Sequence, residues 1–300
     1  MSAITSDMLL QSLANAITLG SLYALVAIGY TMVYGILRLI NFAHGEIFMM
    51  SMYFAFYFVT AAMLPWYLAF LFAIACTGIL GIIIERAAYR PLREAPRISL
   101  LISSIGVSYL LQNLAVVLFS GIQKQFPPVA MFQDVITIAN VRIQKLSIYV
   151  PLITAVLVIV LLYLVNKTKI GMAMRASSKD FETSRLMGIN VNRVIAVTFC
   201  IGSVLAAVGA IMWGLKYPKI EPYVGTLPGL KCFIAAVIGG IGNIKGAVIG
   251  ALLLGFIEIF IVLFFPALSG YKDAFAFVAL IVILLVRPSG LVGEKIANKV

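Results

Sequence analysis

The chain has 300 residues, of which 63% are hydrophobic and 11% charged, and its formal net charge at pH 7 is +11. A soluble protein of this length cannot hide so much apolar surface, so the composition excludes a soluble globular domain and indicates a membrane protein. The basic residues fall at the ends of apolar segments rather than on one face. We therefore interpret the positive charge as a topology signal, and no nucleic-acid partner is needed to explain it.

Uncharged apolar segments predict eight membrane-spanning helices, because a span needs roughly 20 apolar residues. We place them at 9–36, 47–64, 66–85, 98–120, 147–165, 193–214, 246–265 and 273–287. A ninth apolar piece, 229–241, is too short to cross comfortably and fits a segment that enters the membrane and turns back. The predicted fold is all-α and polytopic, one transmembrane domain over 1–300 with about 8–9 transmembrane or re-entrant helices.

The basic residues also predict which ends face the cytoplasm, since Lys and Arg accumulate on the inside. The fifteen residues assigned to the inside are Arg38, Arg86, Arg90, Arg93, Arg97, Lys167, Lys169, Arg175, Lys179, Arg185, Arg193, Lys245, Arg287, Lys295 and Lys299. The seven assigned to the outside are Lys124, Arg142, Lys145, Lys216, Lys219, Lys231 and Lys272. The C-terminus is therefore predicted to be cytoplasmic, and the side of the N-terminus stays open. The longest outside loop, 121–145, contains a Val/Ile-rich stretch that predicts some extended structure.

Two apolar segments, one in each half of the chain, are interrupted by polar residues and glycines. The interrupting residues are Asn41, His44, Gly45 and Glu46 in the first, and Gly240, Gly242 and Asn243 in the second. Interrupted helices in both halves are typical of the substrate path of a transporter, because freed backbone groups survive only beside protein or a wet cavity. We predict these residues to be gate or translocation residues. The alternative is that both breaks are ordinary tight turns at the cytoplasmic face.

A polar stretch at 166–193 predicts one short helix outside the membrane, near 176–188. The residues assigned to it are Ser177, Asp180, Phe181, Glu182, Arg185, Leu186, Met187 and Gly188. Ser177, three residues before Asp180, fits an N-terminal capping pattern, and Gly188 fits a left-handed terminating residue. Glu182 and Arg185 are spaced to pair along one turn. Such a helix either docks on a partner or lies on the membrane surface.

The glycines of the second half also predict close helix packing. Gly246 and Gly250, with Ala247 and Ala251 beside them, form a small-residue stripe on which another helix can lie, either in this chain or in a second subunit. Deeper in the same span, Glu258 is an intramembrane carboxylate and hence a functional candidate, unless it is protonated or paired near the outer interface.

The sequence contains no motor or catalytic signature. Gly242–Gly246 lacks the hydroxyl residue of a phosphate-binding loop, and His44 is the only histidine, so paired-histidine zinc sites are excluded. Cys76, Cys200 and Cys232 have no metal-ligand spacing and fit apolar packing positions. We predict a transport protein rather than an enzyme, with no metal site. Its energy comes either from an ion gradient through Glu46 and Glu258, or from a separate ATPase that acts on the helix near 176–188.

Four motifs carry a family resemblance. They are Asn41–Glu46, Ile84–Arg93, Gly239–Gly250 and Arg287–Leu291. Together they resemble the permease subunits of bacterial branched-chain amino acid ABC importers, specifically the LivH type, and the resemblance runs from about residue 10 to residue 292.

The resemblance implies an ABC importer permease in the bacterial inner membrane and a set of partners. These are a second, LivM-like permease, two cytoplasmic ATPase subunits that use ATP and Mg, and a periplasmic or lipid-anchored amino-acid-binding protein, with membrane lipid around the spans. The chain itself is expected to bind no cofactor. Residues 175–190 resemble the coupling helix that contacts the ATPases, with Gly188 in the place of the family's glycine.

The resemblance leaves some questions open. Ser177-Ser178 and Thr183-Ser184 stand where Glu-Ala-Ala is expected in a coupling helix, so the individual contacts with the ATPases are not assigned. Related permeases handle branched-chain amino acids, other amino acids, amides or urea. Two rival functions remain at this stage, an ion-coupled secondary transporter of a small amphiphilic solute and a membrane scaffold that does not transport.

Overall fold

A computed structural model describes residues 5–138 and 141–293. Lys295 and Lys299, which support the cytoplasmic C-terminus, lie outside the described residues. The α-helices in the described part are α1 Ser6–Leu37, α2 His44–Thr60, α3 Trp66–Ile84, α4 Arg97–Phe119, α5 Ala130–Gln133, α6 Lys145–Lys167, α7 Lys169–Lys179, α8 Phe181–Leu186, α9 Val191–Lys216, α10 Thr226–Gly239, α11 Ile244–Phe264 and α12 Lys272–Val286. A π-helical turn, Glu85–Tyr89, and a 3-10 turn, Arg90–Leu92, extend α3, and a second 3-10 turn, Pro266–Tyr271, precedes α12.

Seven stretches of the described chain are long and apolar enough to cross a membrane. They are α1, α3 with the turns that follow it, α4, α6, α9, α11, and α12 with the turn that precedes it. The predicted all-α, multi-pass fold is therefore confirmed. Helices α2 and α10 are shorter, with 17 and 14 residues. The short length of α10 was predicted, since it contains most of the apolar piece 229–241, whereas α2 had been predicted as a full span at 47–64.

Helix α1 forms the centre of the molecule. It is buried along almost all of its apolar length and contacts α6, α9, α10 and α11, whereas α6 and α12 are largely exposed on the flanks. The described part of the chain also contains four short strands, which lie at the end opposite the α1–α2 loop. The strands are β1 Lys124–Gln125, β2 Val135–Ile138, β3 Val141–Gln144 and β4 Lys219–Ile220, paired antiparallel as β1–β4 and β2–β3. The extended structure predicted for the 121–145 loop is present as β2–β3.

Helix α2 begins in the interior of the protein, and α10 begins beside it. Arg38 ends α1 in a left-handed conformation (φ 55°), and the chain then turns back so that His44 lies against Gly29. Gly29 precedes the end of α1 by about 12 Å of helix, at 1.5 Å per residue. From the opposite end, β4 and the residues after it lead inward to Thr226, the first residue of α10, beside Glu46.

The first turns of α2 and α10 cross backbone against backbone. A Cβ atom placed on Gly45 would lie 2.6 Å from the carbonyl oxygen of Gly225, and one on Gly229 would lie 2.7 Å from the Cα of Gly45. Real side chains do not tolerate such distances, so this crossing requires glycine at all three positions. We refer to Gly45, Gly225 and Gly229 below as the glycine crossing.

The turn between α10 and α11 is sealed by the end of the described chain. Gly240 and Gly242 have φ values of 108° and 98°, and Asn243 caps α11 by accepting hydrogen bonds from the backbone of Lys245 and Gly246. The backbone N–H groups of Leu291 and Val292 donate to the carbonyls of Ile238 and Gly239. These bonds satisfy carbonyls that the end of a helix leaves free.

The small-residue stripe of α11 packs within this chain. Gly246 faces the backbone of Gly239, and Gly250 faces Ala235 and Gly239, all on α10. The predicted close helix packing at Gly246 and Gly250 is therefore present. The alternative that their partner helix belongs to a second subunit was wrong, because α10 already occupies the stripe.

Candidate functional site

The polar stretch predicted as one helix forms two, α7 and α8, separated by Asp180. Asp180 is extended (φ −158°, ψ 120°), and its carboxylate accepts hydrogen bonds from the backbone N–H groups of Glu182 at 2.9 Å and Thr183 at 3.2 Å. The prediction that Ser177 caps this helix was wrong. Ser177 is buried inside α7 and keeps helical geometry, so the capping role passes to the residue whose backbone leaves the helix.

Helix α8 ends in the conformation predicted for Gly188. The φ of Gly188 is 79°, and its N–H donates to the carbonyl of Arg185. The N–H of the next residue, Ile189, donates to the carbonyl of Ser184. This pair of bonds is the Schellman arrangement, which holds the last turn rigid. Leu186 and Met187 are consequently presented at the tip with exposed fractions of 87% and 78%.

Of the other side chains of α8, some pack on the protein core and some are exposed to solvent. Phe181 is half-buried and packs on the core, which anchors the start of the helix. Glu182 and Arg185 are exposed, and they form no ion pair with each other in the described structure, although their spacing permits one. Helix α8 therefore combines an anchored start with an apolar, solvent-facing tip.

The turn after α3 links this region to the membrane interior. Arg93 forms an ion pair with the fully buried carboxylate of Glu85 and donates a hydrogen bond of 2.5 Å to the side-chain oxygen of Asn192, near the start of α9. Burial, together with the nearby guanidinium of Arg185, lowers the pKa of Arg93 to about 10, so it remains protonated at neutral pH. Arg93 thus joins the α3 turn to the α8–α9 region.

The same turn reaches the first interruption. Tyr89, the last residue of the π-helical turn, is fully buried, and its hydroxyl donates to Oδ1 of Asn41 at 2.7 Å. Asn41 Oδ1 also accepts from the backbone N–H of Ala43 at 3.1 Å, which fixes the loop that leads into α2. A π-turn inside a helix is often found at a functional site.

Glu46 lies at the glycine crossing in the first turn of α2. It is almost fully buried, and its Oε1 accepts hydrogen bonds from Gln112 Nε2 at 2.8 Å, Thr226 Oγ1 at 3.3 Å and Ser108 Oγ at 3.4 Å. The nearby His44 ring is fully buried and sits edge-on to Tyr30, with centroids 4.6 Å apart. Sequence reasoning identified Glu46 and His44 but missed the residues of α4 and α10 that surround Glu46.

The carboxylate of Glu258 on α11 is also buried, and it is paired. Lys231 Nζ lies 3.0 Å from Glu258 Oε2 and 2.6 Å from Asp273 Oδ1, and the Tyr23 hydroxyl donates to both oxygens of Glu258 at 3.2 Å. Lys231 is buried in α10 and does not lie in an outside loop, which corrects its assignment to the outside group. The signal that could have found the pair was a lysine and a glutamate, each alone in an apolar segment.

The structure brings only part of the predicted gate together. Asn41, His44, Gly45 and Glu46 cluster at the start of α2, whereas Gly240, Gly242 and Asn243 form the turn between α10 and α11 near the C-terminal end of α1. The counterpart of the first interruption at the same depth is the start of α10. A glycine and a proline between two spans, Gly225 and Pro228, were the available signal.

No metal site is found within the described residues, where no three His, Cys, Asp or Glu side chains are grouped to hold an ion. The polar groups around the start of α2 are instead amides, hydroxyls and the Glu46 carboxylate, at the inner ends of two shortened helices. Such an arrangement can hydrogen-bond a polar solute within the membrane, and it resembles the discontinuous helices that bind solutes in other transporters.

Comparison with known proteins agrees with the features described above. Residues 12–286 match the model of a family described as the permease component of the branched-chain amino acid transport system. The chain is 42% identical to the high-affinity branched-chain amino acid transport system permease protein BraD of Pseudomonas aeruginosa, over 97% of this chain and 98% of that protein. It is 40% identical to the corresponding permease protein LivH of Escherichia coli, over 97% of both chains.

A solved structure shares the fold. The chain aligns with a structure titled PsaBC from Streptococcus pneumoniae in complex with Fab, with a TM-score of 0.50 and 15% sequence identity, over 95% of this chain and 93% of that one. At this identity the likeness concerns the arrangement of helices alone.

Proposed function

Because this chain belongs to the family of permease components of branched-chain amino acid ABC transport systems, we propose that it forms, with a second, LivM-like permease, the path by which branched-chain or related amino acids cross the bacterial inner membrane. As a member of that family it is a multi-pass transport permease, one component of a multi-subunit system, and not an enzyme. Residues 1–300 would act as a single transmembrane permease domain.

The energy in this proposal comes from two cytoplasmic ATPase subunits that bind ATP and Mg. The observation that carries this assignment is the tip of α8, where Leu186 and Met187 are exposed on a helix made rigid by caps at Asp180 and Gly188. Exposed apolar side chains on an otherwise polar, rigid helix fit the contact surface of a protein partner. Helices α7 and α8 together would be the coupling element.

Motion of the coupling element has a physical connection to the membrane interior. Arg93 contacts Asn192 and Glu85, and the π-turn carries on from Glu85 to Tyr89, whose hydroxyl holds Asn41. A shift of α8 and the start of α9 would therefore move the loop that leads into α2. The first interruption would act as the gate, with alternating access produced by rocking of the spans around the glycine crossing.

On the outer side, an amino-acid-binding protein, periplasmic or lipid-anchored, would deliver the solute. The paired strands β1–β4 and β2–β3 give that end of the chain a defined surface. The largely exposed flanks of α6 and α12 would face membrane lipid or the second permease.

The test is isolation of a tagged chain from native membranes in mild detergent, followed by reconstitution. We expect an ATPase and a second permease-like chain to be recovered, and the liposomes to import leucine only with ATP and the loaded binding protein. Replacement of Leu186 and Met187 by Glu should release the ATPase, whereas Met63→Glu, at an exposed position in the α2–α3 loop, should not. Recovery of the chain alone, with uptake driven by an ion gradient, would overturn the proposal in favour of a secondary transporter.

A further inference from the structure

Glu46 and Glu258 are both buried carboxylates inside helices, and they differ in one respect. Glu258 has a cationic partner, Lys231, and both of its oxygens accept hydrogen bonds. Glu46 forms no ion pair among the described residues, and its Oε2 is buried without a hydrogen-bond partner there, while Oε1 takes all three donors. An unsatisfied carboxylate oxygen in a buried site is costly, which calls for an explanation.

The surroundings of Glu46 explain how its charge is tolerated without a cation. The residue lies in the first turn of α2, and Thr226, which donates to it, is the first residue of α10. The amino ends of two helices therefore converge on one carboxylate, and the partial positive charge at such ends stabilises an anion. The two helix ends would stabilise an ionised carboxylate at this position, and one of its acceptor oxygens is open.

The face of α4 beside Glu46 is suited to a polar path. Ser108 and Gln112 reach Glu46, and their neighbours Tyr109 and Asn113 are exposed in the middle of the span. The Asn113 side-chain nitrogen donates to the Tyr109 carbonyl at 2.8 Å, but an amide exposed at this depth is still unfavourable in lipid, so this face is expected to line a wet path or a protein contact. A solute moving along it would pass the carboxylate.

The glycine crossing supplies the means of access. No side chain separates α2 from α10 at Gly45, Gly225 and Gly229, so the two first turns touch directly. A small parting of the two helices would open the space beside the first turn of α2, which includes Glu46, and their return would close it. In the state described, the carboxylate is closed off from solvent.

We propose that Glu46 is a recognition site for the primary ammonium group of the amino acid in transit, with Oε2 accepting its hydrogen bond and the hydroxyls of Ser108 and Thr226 beside it. The inference rests on the proposed function, since it names the chemical group that the same path recognises. An ammonium group brings both the positive charge and the donors that Glu46 lacks. Glu258 is unsuited to the role because Lys231 already occupies it.

The test uses the complete complex in liposomes, with labelled leucine on the binding protein. Wild-type import must first depend on ATP, and its absence would refute the proposed function rather than this site. In Glu46→Gln, ATP hydrolysis stimulated by the binding protein should remain within about twofold of wild type, while leucine imported per ATP should fall by about tenfold or more, as expected for loss of a charged hydrogen bond. Import per ATP equal to wild type would overturn the site.

Two further variants keep the inference testable if Glu46→Gln fails to assemble. Glu46→Asp keeps the charge on a shorter side chain and should import better than Glu46→Gln. Glu46→Cys should regain import after modification with an anionic thiol reagent but not with a cationic one, with wild type treated in parallel because it contains Cys76, Cys200 and Cys232. Equal import with either reagent would show that the negative charge is not used.

Asp7→Asn provides the matched control, because Asp7 is an exposed carboxylate at the first turn of α1 and far from the crossing in the fold. This variant should import as much leucine per ATP hydrolysed as wild type does. If leucine imported per ATP fell as much in Asp7→Asn as in Glu46→Gln, the fall would not be specific to the glycine crossing, and the site would be rejected.

Discussion

The hydroxyl of Tyr89 donates a hydrogen bond to the side-chain oxygen of Asn41 across 2.7 Å, and this bond joins the π-turn after α3 to the loop that opens α2. Both residues are buried, so the bond does not compete with water. In the proposed mechanism, this bond is the step at which a movement of the turn after α3 would become a movement of the loop that leads into α2.

Tyr89→Phe should therefore remove the hydrogen bond to Asn41 while keeping an aromatic ring in the core. The loss of one buried hydrogen bond costs about 1 kcal/mol. We expect the amount of leucine imported per ATP to fall several-fold, measured in liposomes containing the whole complex. Tyr163→Phe, on the exposed side of α6, is the control and should leave the ratio unchanged. A normal ratio in Tyr89→Phe would remove this bond from the coupling route.

Gly188→Pro should abolish transport. Proline cannot adopt a φ of 79°, and it also lacks the N–H that donates to Arg185. Gly188→Ala should be milder, at about 1–2 kcal/mol, because a Cβ there meets no atom within 4 Å and only the left-handed backbone is disfavoured. Uptake and ATPase co-purification would be measured together. Normal uptake by well-expressed Gly188→Pro would count against the coupling role of α8.

Asp180→Ala and Ser177→Ala should differ, because only Asp180 caps α8. Loss of the cap should destabilise the helix by about 1 kcal/mol, visible as faster hydrogen exchange of the amides of 181–187. Ser177→Ala should leave that exchange unchanged, since its hydroxyl is buried without a hydrogen-bond partner in the described structure. Faster exchange in the serine variant alone would restore the original capping assignment.

Gly45→Ala should disturb the glycine crossing. The added methyl group would lie 2.6 Å from the Gly225 carbonyl, and overpacking of this kind typically costs about 1–3 kcal/mol. We expect a lower midpoint of thermal unfolding for the purified complex and reduced transport. Gly106→Ala on α4 is the matched control, because a Cβ there meets no atom within 4 Å. Equal unfolding temperatures for the two variants would mean that the crossing can widen at no cost.

Lys231→Met should destabilise the protein strongly, by about 3–5 kcal/mol, because Glu258 would remain buried without its cation. The double variant Lys231→Met with Glu258→Gln should recover part of that loss. Thermal unfolding of wild type, Lys231→Met, Glu258→Gln and the double variant gives the coupling energy between the two residues directly. Strictly additive losses would show that the pair does not act as a unit.

The spans were predictable because each lies in a long uncharged segment, and the Gly188 cap was predictable because few other residues tolerate its backbone. The break at Asp180 was not, since Ser177 and Asp180 both suit a cap and only the backbone turn decides between them. The start of α10 was missed for a different reason. Thr226 and Gly229 are brought to Glu46 by tertiary contacts far apart in the chain, and hydrophobic periodicity carries no information about such contacts.

The pairing of Glu258 illustrates the same limit. The sequence shows a glutamate in one apolar segment and a lysine in another, and either could have been an end-of-helix residue reaching toward the interface. The packing of α10 against α11 sets Lys231 opposite Glu258. The presence of buried charged residues could be predicted from the sequence. It did not show that Glu258 has a cationic partner while Glu46 has none among the described residues.

The bonds from Leu291 and Val292 to the last carbonyls of α10 have a consequence for biosynthesis. During translation, α10 and α11 are made and inserted well before these two residues leave the ribosome. Until then the carbonyls of Ile238 and Gly239 must find other partners. The turn between α10 and α11 therefore reaches its final form only when these two residues arrive, and a ribosome that stops before residue 291 would leave the end of α10 unsealed.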